Sequence, residues 1–98
     1  MRKFDTLIIG SGLGGLECAY ILARHGQSVC VVEKNHSLGG CLQSFKRCDN
    51  EYDTGFHYIG GLGKGQMLHN IFSYFHLMDL PWHQLDTDGY NEVILKDK

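Results

Sequence analysis

Two short apolar runs separated by a helical stretch open the chain. The first run, residues 3–9, ends at Gly10, and the second, residues 28–33, ends at Glu33. Neither run alternates apolar and polar positions, which is typical of parallel strands covered on both faces. Between the runs, apolar positions recur at helical spacing, namely Leu13, Leu16, Tyr20 and Ala23. This order predicts a strand, a helix ended by a C-terminal Gly at Gly26, and a second strand, joined by a right-handed crossover.

Further along, the pattern predicts a hairpin, a helix and a second hairpin. The first hairpin turns at residues 48–50. One apolar stripe predicts an amphipathic helix over residues 66–78. Two more strands, residues 82–85 and 90–95, would follow, with Gly89 at positive φ in the turn between them.

The glycines after the first strand have the spacing of the dinucleotide-binding fingerprint. Gly10, Gly12 and Gly15 form G-x-G-x-x-G between a predicted strand and a predicted helix. Gly10 permits the tight turn, Gly12 lets a pyrophosphate approach the backbone, and Gly15 lets the helix pack close to the strand. The helix N-terminus, with its free N–H groups, would then hold the phosphates.

An acidic residue at the end of the second strand completes this unit. Glu33 lies near the distance, about 20 residues, at which such folds place a carboxylate that binds the ribose hydroxyls. The same carboxylate would repel a 2′-phosphate, which argues against NADP. A larger set of residues is predicted to contact the cofactor: Gly10, Ser11, Gly12, Leu13, Gly14, Gly15, Glu33, Lys34, Gly39 and Gly40.

Composition narrows the class of protein. The 98 residues are 43% hydrophobic and 20% charged, with a formal net charge of −2, which argues against a disordered tail and against nucleic-acid binding. Cys18 and Cys30 lie in apolar surroundings and are expected to be buried, which favours a reducing, cytoplasmic location. No metal site is predicted, because His69 and His76 lack further ligands at a suitable spacing.

The Gly39-Gly40 doublet, soon after Glu33, distinguishes between dinucleotides. At this point the sequence resembles the N-terminal region of FAD-dependent oxidoreductases of the glutathione-reductase and amine-oxidase type. In that group a Gly-Gly doublet after an acid-ended second strand helps to seat the flavin nucleotide. The resemblance therefore implies FAD as the cofactor.

A second stretch indicates a particular family among these FAD-dependent oxidoreductases. Residues 52–61 are similar to the D-x-G-x-H-x-x-G segment of the phytoene desaturase, carotenoid isomerase and retinol saturase family. The resemblance implies that Gly55 lies near the flavin ring and that His57 could face the substrate, although a structural role for His57 is favoured. Asp53 is expected to be structural, and no catalytic residue is assigned.

These observations predict an α/β fold, an incomplete FAD-type Rossmann βαβ unit followed by the start of a second domain. Residues 1–61 would be the N-terminal part of the FAD-binding domain, and residues 62–98 a linker helix and the start of a substrate domain. The resemblance implies a flavin-dependent oxidoreductase that desaturates, saturates or isomerises an apolar polyene or isoprenoid-like substrate. Such a substrate allows a peripheral membrane contact of the full-length enzyme.

Two alternatives stay open. The first is a catalytically inert fragment that binds a dinucleotide weakly, or binds only a partner, because family members are several times longer than 98 residues. A truncated chain would expose apolar strand faces and self-associate. The second is an NAD-dependent dehydrogenase, which the early Gly-Gly doublet opposes.

Overall fold

In the computed structural model, which describes residues 1–96, the chain divides into two compact units. The first unit is Met1–Gly60 and the second is Gly61–Lys98. The first unit contains a βαβ motif and a separate hairpin. The second contains one helix and an irregular segment after it.

The βαβ motif is built from β1 (Thr6–Ile9), α1 (Leu13–Arg24) and β2 (Val29–Val32). The two strands pair in parallel, with Thr6 opposite Val29 and Ile9 opposite Val32. The predicted α/β class and the parallel βαβ unit are therefore confirmed. Gly26 adopts a φ of 84° just after the helix, as the C-terminal Gly of the pattern predicts.

A reciprocal polar contact closes the start of the sheet. The Asp5 carboxylate accepts hydrogen bonds from the backbone N–H and the hydroxyl of Ser28, at 2.8 and 2.7 Å. The backbone N–H of Asp5 in turn donates to the Ser28 hydroxyl oxygen at 3.0 Å. These bonds lower the pKa of Asp5 below its usual value, so the carboxylate stays ionised and fixes the register of β1 against β2.

One face of this two-stranded sheet packs on α1 and the other is open. Ile8 points toward the helix, where its Cγ2 atom would lie 3.5 Å from a Cβ added at Gly15. Leu7 and Ile9 project to the opposite side and are 61% and 85% exposed. In residues 1–96 no apolar side chain is fully buried. Apolar strand surface is therefore exposed, as the continuous apolar runs lead one to expect when few neighbours cover them.

The helix face toward the sheet differs from the predicted stripe. Leu13 and Leu16 are exposed, whereas Gly15, Ala19 and Leu22 are partly covered. The physical reason is the close approach of the helix at Gly15, which turns the side that carries the small residues Gly15 and Ala19 toward the strand. Cys18 is also exposed, so the prediction that it is buried was wrong, while Cys30 on β2 is partly covered.

The predicted first hairpin is present as β3 (Ser44–Arg47) paired antiparallel with β4 (Asn50–Asp53). Its two turn residues, Cys48 and Asp49, have φ values of 49° and 61°. Positive φ at both central residues is the signature of a type I′ turn, whose twist matches that of the flanking strands.

The second unit contains α2 (Met67–Tyr74), shorter than predicted. His76 adopts a left-handed φ of 59°, which ends the helical path before Met78, and a short 3₁₀ turn, Leu77–Asp79, follows. The predicted second hairpin is not formed in the described residues 82–96. Trp82 is held against the 3₁₀ turn, because its indole N–H donates to the Leu77 carbonyl oxygen at 2.7 Å.

Candidate functional site

The first glycine turn connects β1 to α1 in the geometry that the sequence predicts. Gly10 has a φ of 98°, and its N–H donates to the Val32 carbonyl oxygen at 2.7 Å, which continues the sheet into the turn. A Cβ at Gly15 would collide with the Gly10 carbonyl oxygen. The turn therefore requires a left-handed residue at its start and a residue without a side chain where the helix crosses the strand.

The N-terminus of α1 has no partner from its own side chains. Gly12 occupies the N-cap position without a side-chain hydrogen bond, and the first helical turn contains no acidic residue. The first backbone N–H groups of a helix have no acceptor within it and carry the positive end of the helix dipole. A Cβ at Gly12 would meet nothing within 4 Å. The Gly12 backbone is thus uncrowded on its Cβ side, at the point where the helix begins.

Glu33 lies at the end of β2, beside the first glycine turn. Its Oε2 atom accepts hydrogen bonds from the N–H and the hydroxyl of Ser11, at 2.9 and 2.7 Å. Its Oε1 atom accepts one from the backbone N–H of Asn35 at 2.9 Å. These bonds, led by the Asn35 N–H and then the two from Ser11, lower the pKa of Glu33 from 4.5 to about 2. The side chain is therefore a carboxylate at neutral pH.

The second glycine turn folds against the first. Gly39 and Gly40 both have positive φ, 104° and 57°. The Gly39 N–H donates to the Ser11 carbonyl oxygen at 3.0 Å and to the Ser11 hydroxyl oxygen at 3.2 Å. A Cβ at Gly40 would lie only 3.1 Å from the Cα atom of Gly12. Both members of the doublet are thus held where a side chain would be strained or crowded.

The end of the hairpin is joined to this second turn. The Gln43 side-chain amide donates to the Gly40 carbonyl oxygen at 2.8 Å, and the Gln43 carbonyl oxygen accepts from both the N–H and the hydroxyl of Thr54. A Cβ at Gly55 would lie 3.7 Å from the Cys41 carbonyl oxygen. The structure therefore brings the segment after β4 next to the second glycine turn, within the first unit.

The remaining predicted residues occupy the rim of this region. Leu13 and Gly14 begin α1 and are exposed, and Lys34 is exposed directly after Glu33. Asp53 is the last residue of β4, and His57 is exposed in the irregular segment that follows. No hydrogen-bond partner of His57 is observed in the part of the chain that the structure describes, so its role stays a prediction.

Three contributions were not predicted from the sequence. The Asn35 N–H binds the Glu33 carboxylate, and the side chains of Gln43 and Thr54 connect the hairpin to the second glycine turn. For Asn35 the sequence gives little signal, since the side chains that commonly bind the backbone two residues on are Asn and Asp, and residue 33 is a glutamate. For Gln43 and Thr54 no local pattern exists, because their contact depends on the path of the hairpin.

Residues 1–96 lack two classes of feature. No group of three or more His, Cys, Asp or Glu side chains lies close enough together to hold a metal ion. None of the helices in this range has the length and apolar character needed to cross a membrane.

Comparison with known proteins places this geometry in a family. Residues 8–75 match the family model described as an NAD(P)-binding Rossmann-like domain. The all-trans-retinol 13,14-reductase of Danio rerio is 39% identical over 93 residues, which are 95% of this chain and 15% of that protein. The human protein of the same name is 40% identical over 86 residues, 88% of this chain and 14% of the relative.

A third relative has a different name. An inactive all-trans-retinol 13,14-reductase of Danio rerio is 42% identical over 66 residues, 67% of this chain and 11% of the relative. No solved structure gives a significant match. The chain thus spans about one seventh of the length of the reductases that it matches.

The resemblance inferred from residues 10–33 and 52–61 is confirmed by these matches, which place the chain at the N-terminal region of proteins of the retinol saturase type. The matched residues 8–75 include α1, β2, the two glycine turns and Glu33. The chain belongs to the NAD(P)-binding Rossmann-like domain family.

Proposed function

We propose that the chain is the N-terminal, FAD-binding part of a flavin-dependent oxidoreductase that acts on an apolar polyene or retinoid substrate. The observation that carries this proposal is the open N-terminus of α1. The Cβ position of Gly12 is empty, no side chain caps the helix N–H groups, and the Glu33 carboxylate lies beside the same turn.

The chemistry of the donor set fits a dinucleotide. Helix N–H groups at the first glycine turn would hold a diphosphate, and the ionised Glu33 carboxylate beside that turn would accept from a sugar hydroxyl. FAD, when bound, supplies the redox chemistry itself. The residues of this chain bind and orient its nucleotide portion.

FAD is favoured over a nicotinamide dinucleotide by the second glycine turn. Gly39 and Gly40 fold against Ser11 and Gly12, so a second stretch of bare backbone adjoins the first. Resemblance to the desaturase and saturase family supports the same choice. It also supports residues 1–61 as part of the cofactor domain and residues 62–98 as the start of a substrate domain.

We also propose a cytoplasmic location with a peripheral membrane contact. The cysteines observed without disulfides, which are Cys18, Cys30, Cys41 and Cys48, suit a reducing cytoplasm. An apolar substrate would be met at a membrane surface, so the longer enzyme would make a peripheral membrane contact.

The test is nucleotide binding by the 98-residue chain and two glycine variants. Gly12→Ala places a methyl group where the structure has open space, so it should leave the fold intact and block the diphosphate. Gly89→Ala, in the second unit, also meets nothing within 4 Å and is the matched control.

Titration calorimetry with FAD, ADP and NAD would read the result. We expect FAD and ADP to bind the unaltered chain and Gly89→Ala alike, and Gly12→Ala to bind at least tenfold more weakly, because one lost close contact to a charged group is worth about 1.5 kcal/mol or more. Equal binding by all three chains would refute the assignment. Preferential binding of NAD would instead support a nicotinamide enzyme.

A second candidate function has one observation in its favour. A relative with 42% identity carries the name of an inactive reductase. The N-terminal sequence is therefore compatible with a protein that binds dinucleotide without reducing a retinoid. Measurement of flavin reduction, after FAD binding has been established, would separate the two.

A further inference from the structure

The feature that carries a further inference is the side chain of Ser11. It is 0% exposed, and in residues 1–96 it is the one fully buried polar side chain. Its hydroxyl lies 2.7 Å from Glu33 Oε2 and 3.2 Å from the N–H of Gly39. Both partners come from other turns, so this one side chain joins three segments.

The direction of these two hydrogen bonds is fixed by their chemistry. The Gly39 N–H can only donate, so the Ser11 oxygen accepts from it. An ionised carboxylate can only accept, so the single hydroxyl proton is donated to Glu33. While Glu33 is ionised, the arrangement therefore has one orientation.

The carboxylate is held on both oxygens. Oε2 accepts twice from Ser11, and Oε1 accepts from the Asn35 N–H. The backbone N–H of Lys34 also interacts with this carboxylate and helps to lower its pKa. Because the bonds from Ser11 hold Oε2, rotation of the side chain would break them, and the carboxylate keeps its orientation.

We propose that Ser11 is a positioning residue that acts through Glu33. Its hydroxyl and N–H hold Oε2, so that the carboxylate is fixed in the orientation in which it meets the nucleotide sugar, and the same hydroxyl joins the second glycine turn to the first at Gly39. This inference rests on the proposed dinucleotide function and assigns to Ser11 a role through protein contacts.

The experiment compares three variants of the 98-residue chain with the unaltered one. Ser11→Ala removes the hydroxyl, Glu33→Gln removes the charge, and the third variant combines them. Ser44→Ala is the matched control, because Ser44 also donates to a glutamate, Glu51, but on the exposed hairpin.

Binding of ADP is the first readout. We expect Ser11→Ala to weaken binding on the order of tenfold, as for the loss of a hydrogen bond to a charged group, and Ser44→Ala to leave it unchanged. Because Ser11 acts through Glu33, the double variant should bind no more than twofold more weakly than Glu33→Gln alone. Losses that multiply would mean that Ser11 acts independently, and would overturn the proposal.

The second readout is NMR of the chain without nucleotide. In Ser11→Ala, the carboxyl carbon of Glu33 should titrate at a higher pH than in the unaltered chain. In Glu33→Gln, the amide signals of Ser11 and Gly39 should both shift, while that of Leu22 on α1 should not. The Glu33→Gln measurement keeps the test decisive even where Ser11→Ala does not fold, since a Gly39 signal that stays in place would overturn the proposal.

The two proposals fail differently. If the unaltered chain binds ADP and a folded Ser11→Ala chain binds it equally well, the positioning role is overturned and the proposed function stands. If the unaltered chain binds no nucleotide, both are overturned.

Discussion

The close approach of α1 to β1 makes a sharp prediction about two neighbouring glycines. Gly14 and Gly15 are consecutive residues of the same helix, and neither has a positive φ. A Cβ at Gly14 meets nothing within 4 Å, whereas a Cβ at Gly15 collides with the Gly10 carbonyl oxygen. Alanine at these two positions should therefore change the free energy of unfolding in opposite directions.

The magnitudes follow from two effects. Alanine is favoured over glycine within a helix by about 0.5–1 kcal/mol, which should stabilise Gly14→Ala. Overpacking costs ~1–3 kcal/mol, and at Gly15 the obstacle is backbone, which cannot rotate away as a flexible side chain could. After the same helical gain is subtracted, Gly15→Ala should lose roughly 1–2 kcal/mol, so the two variants should differ by about 2 kcal/mol.

Urea unfolding followed by far-UV circular dichroism would measure the difference. With a slope of about 1–2 kcal/mol per molar urea, the midpoints of the two variants should lie roughly 1–2 M apart. A stabilising osmolyte, added at the same concentration to both variants, shifts both midpoints to urea concentrations that can be measured. If Gly15→Ala unfolds at the same urea concentration as Gly14→Ala, with equal slopes, the close helix–strand crossing is refuted.

Three further predictions concern a charge, a turn and a ring pair. The pKa of Glu33 is lowered from 4.5 to about 2, so its carboxylate stabilises the fold fully above its ordinary pKa and loses this effect as the pH falls toward 2. Between about pH 5 and pH 3, the urea midpoint of the unaltered chain should therefore fall, and that of Glu33→Gln should change less. Asp49 has a φ of 61°, a conformation that glycine adopts without strain, so Asp49→Gly should raise the free energy of unfolding by about 0.5–1 kcal/mol. Asp49→Ala, measured in the same urea assay, should not raise it. Phe45 stacks on Tyr52 with ring centroids 5.5 Å apart, so a double-mutant cycle to alanine should give a coupling of ~0.5–1.5 kcal/mol, and additive losses would contradict the stacking.

The parts of the fold that sequence reasoning predicted are those determined by local backbone chemistry. Gly10 and Gly26 adopt the left-handed conformations that their places in the pattern require. The turn at Cys48-Asp49 joins two strands that were predicted from their residues alone. In each case a short stretch determines its own conformation.

The parts that were wrong depend on contacts between distant residues. Trp82 lies against Phe72, with ring centroids 5.6 Å apart, and this contact replaces the strand predicted to begin there. Gly89 does not adopt positive φ; the Asp86 side chain closes a bend by accepting from the Asp88 N–H at 2.9 Å. The exposure of Cys18 follows from which side of α1 meets the sheet, and that side is chosen by Gly15.

For the candidate site, the sequence predicted the glycines and Glu33 but could not predict their mutual contacts. The spacing of Gly10, Gly12 and Gly15 has a local mechanical reason, whereas the bond from Ser11 to Gly39 spans 28 residues. Only the folded chain shows that the two glycine turns share a buried hydroxyl.

The bare side of the parallel sheet also affects how the protein responds to heat. Leu7 and Ile9 are more than half exposed, so folding removes little apolar surface from water there. The heat-capacity increment of unfolding comes mainly from such surface, and we expect it to fall below the usual ~12–15 cal/mol/K per residue. A small increment flattens the stability curve, so that cold weakens the folded state less than in a protein with a well-filled interior.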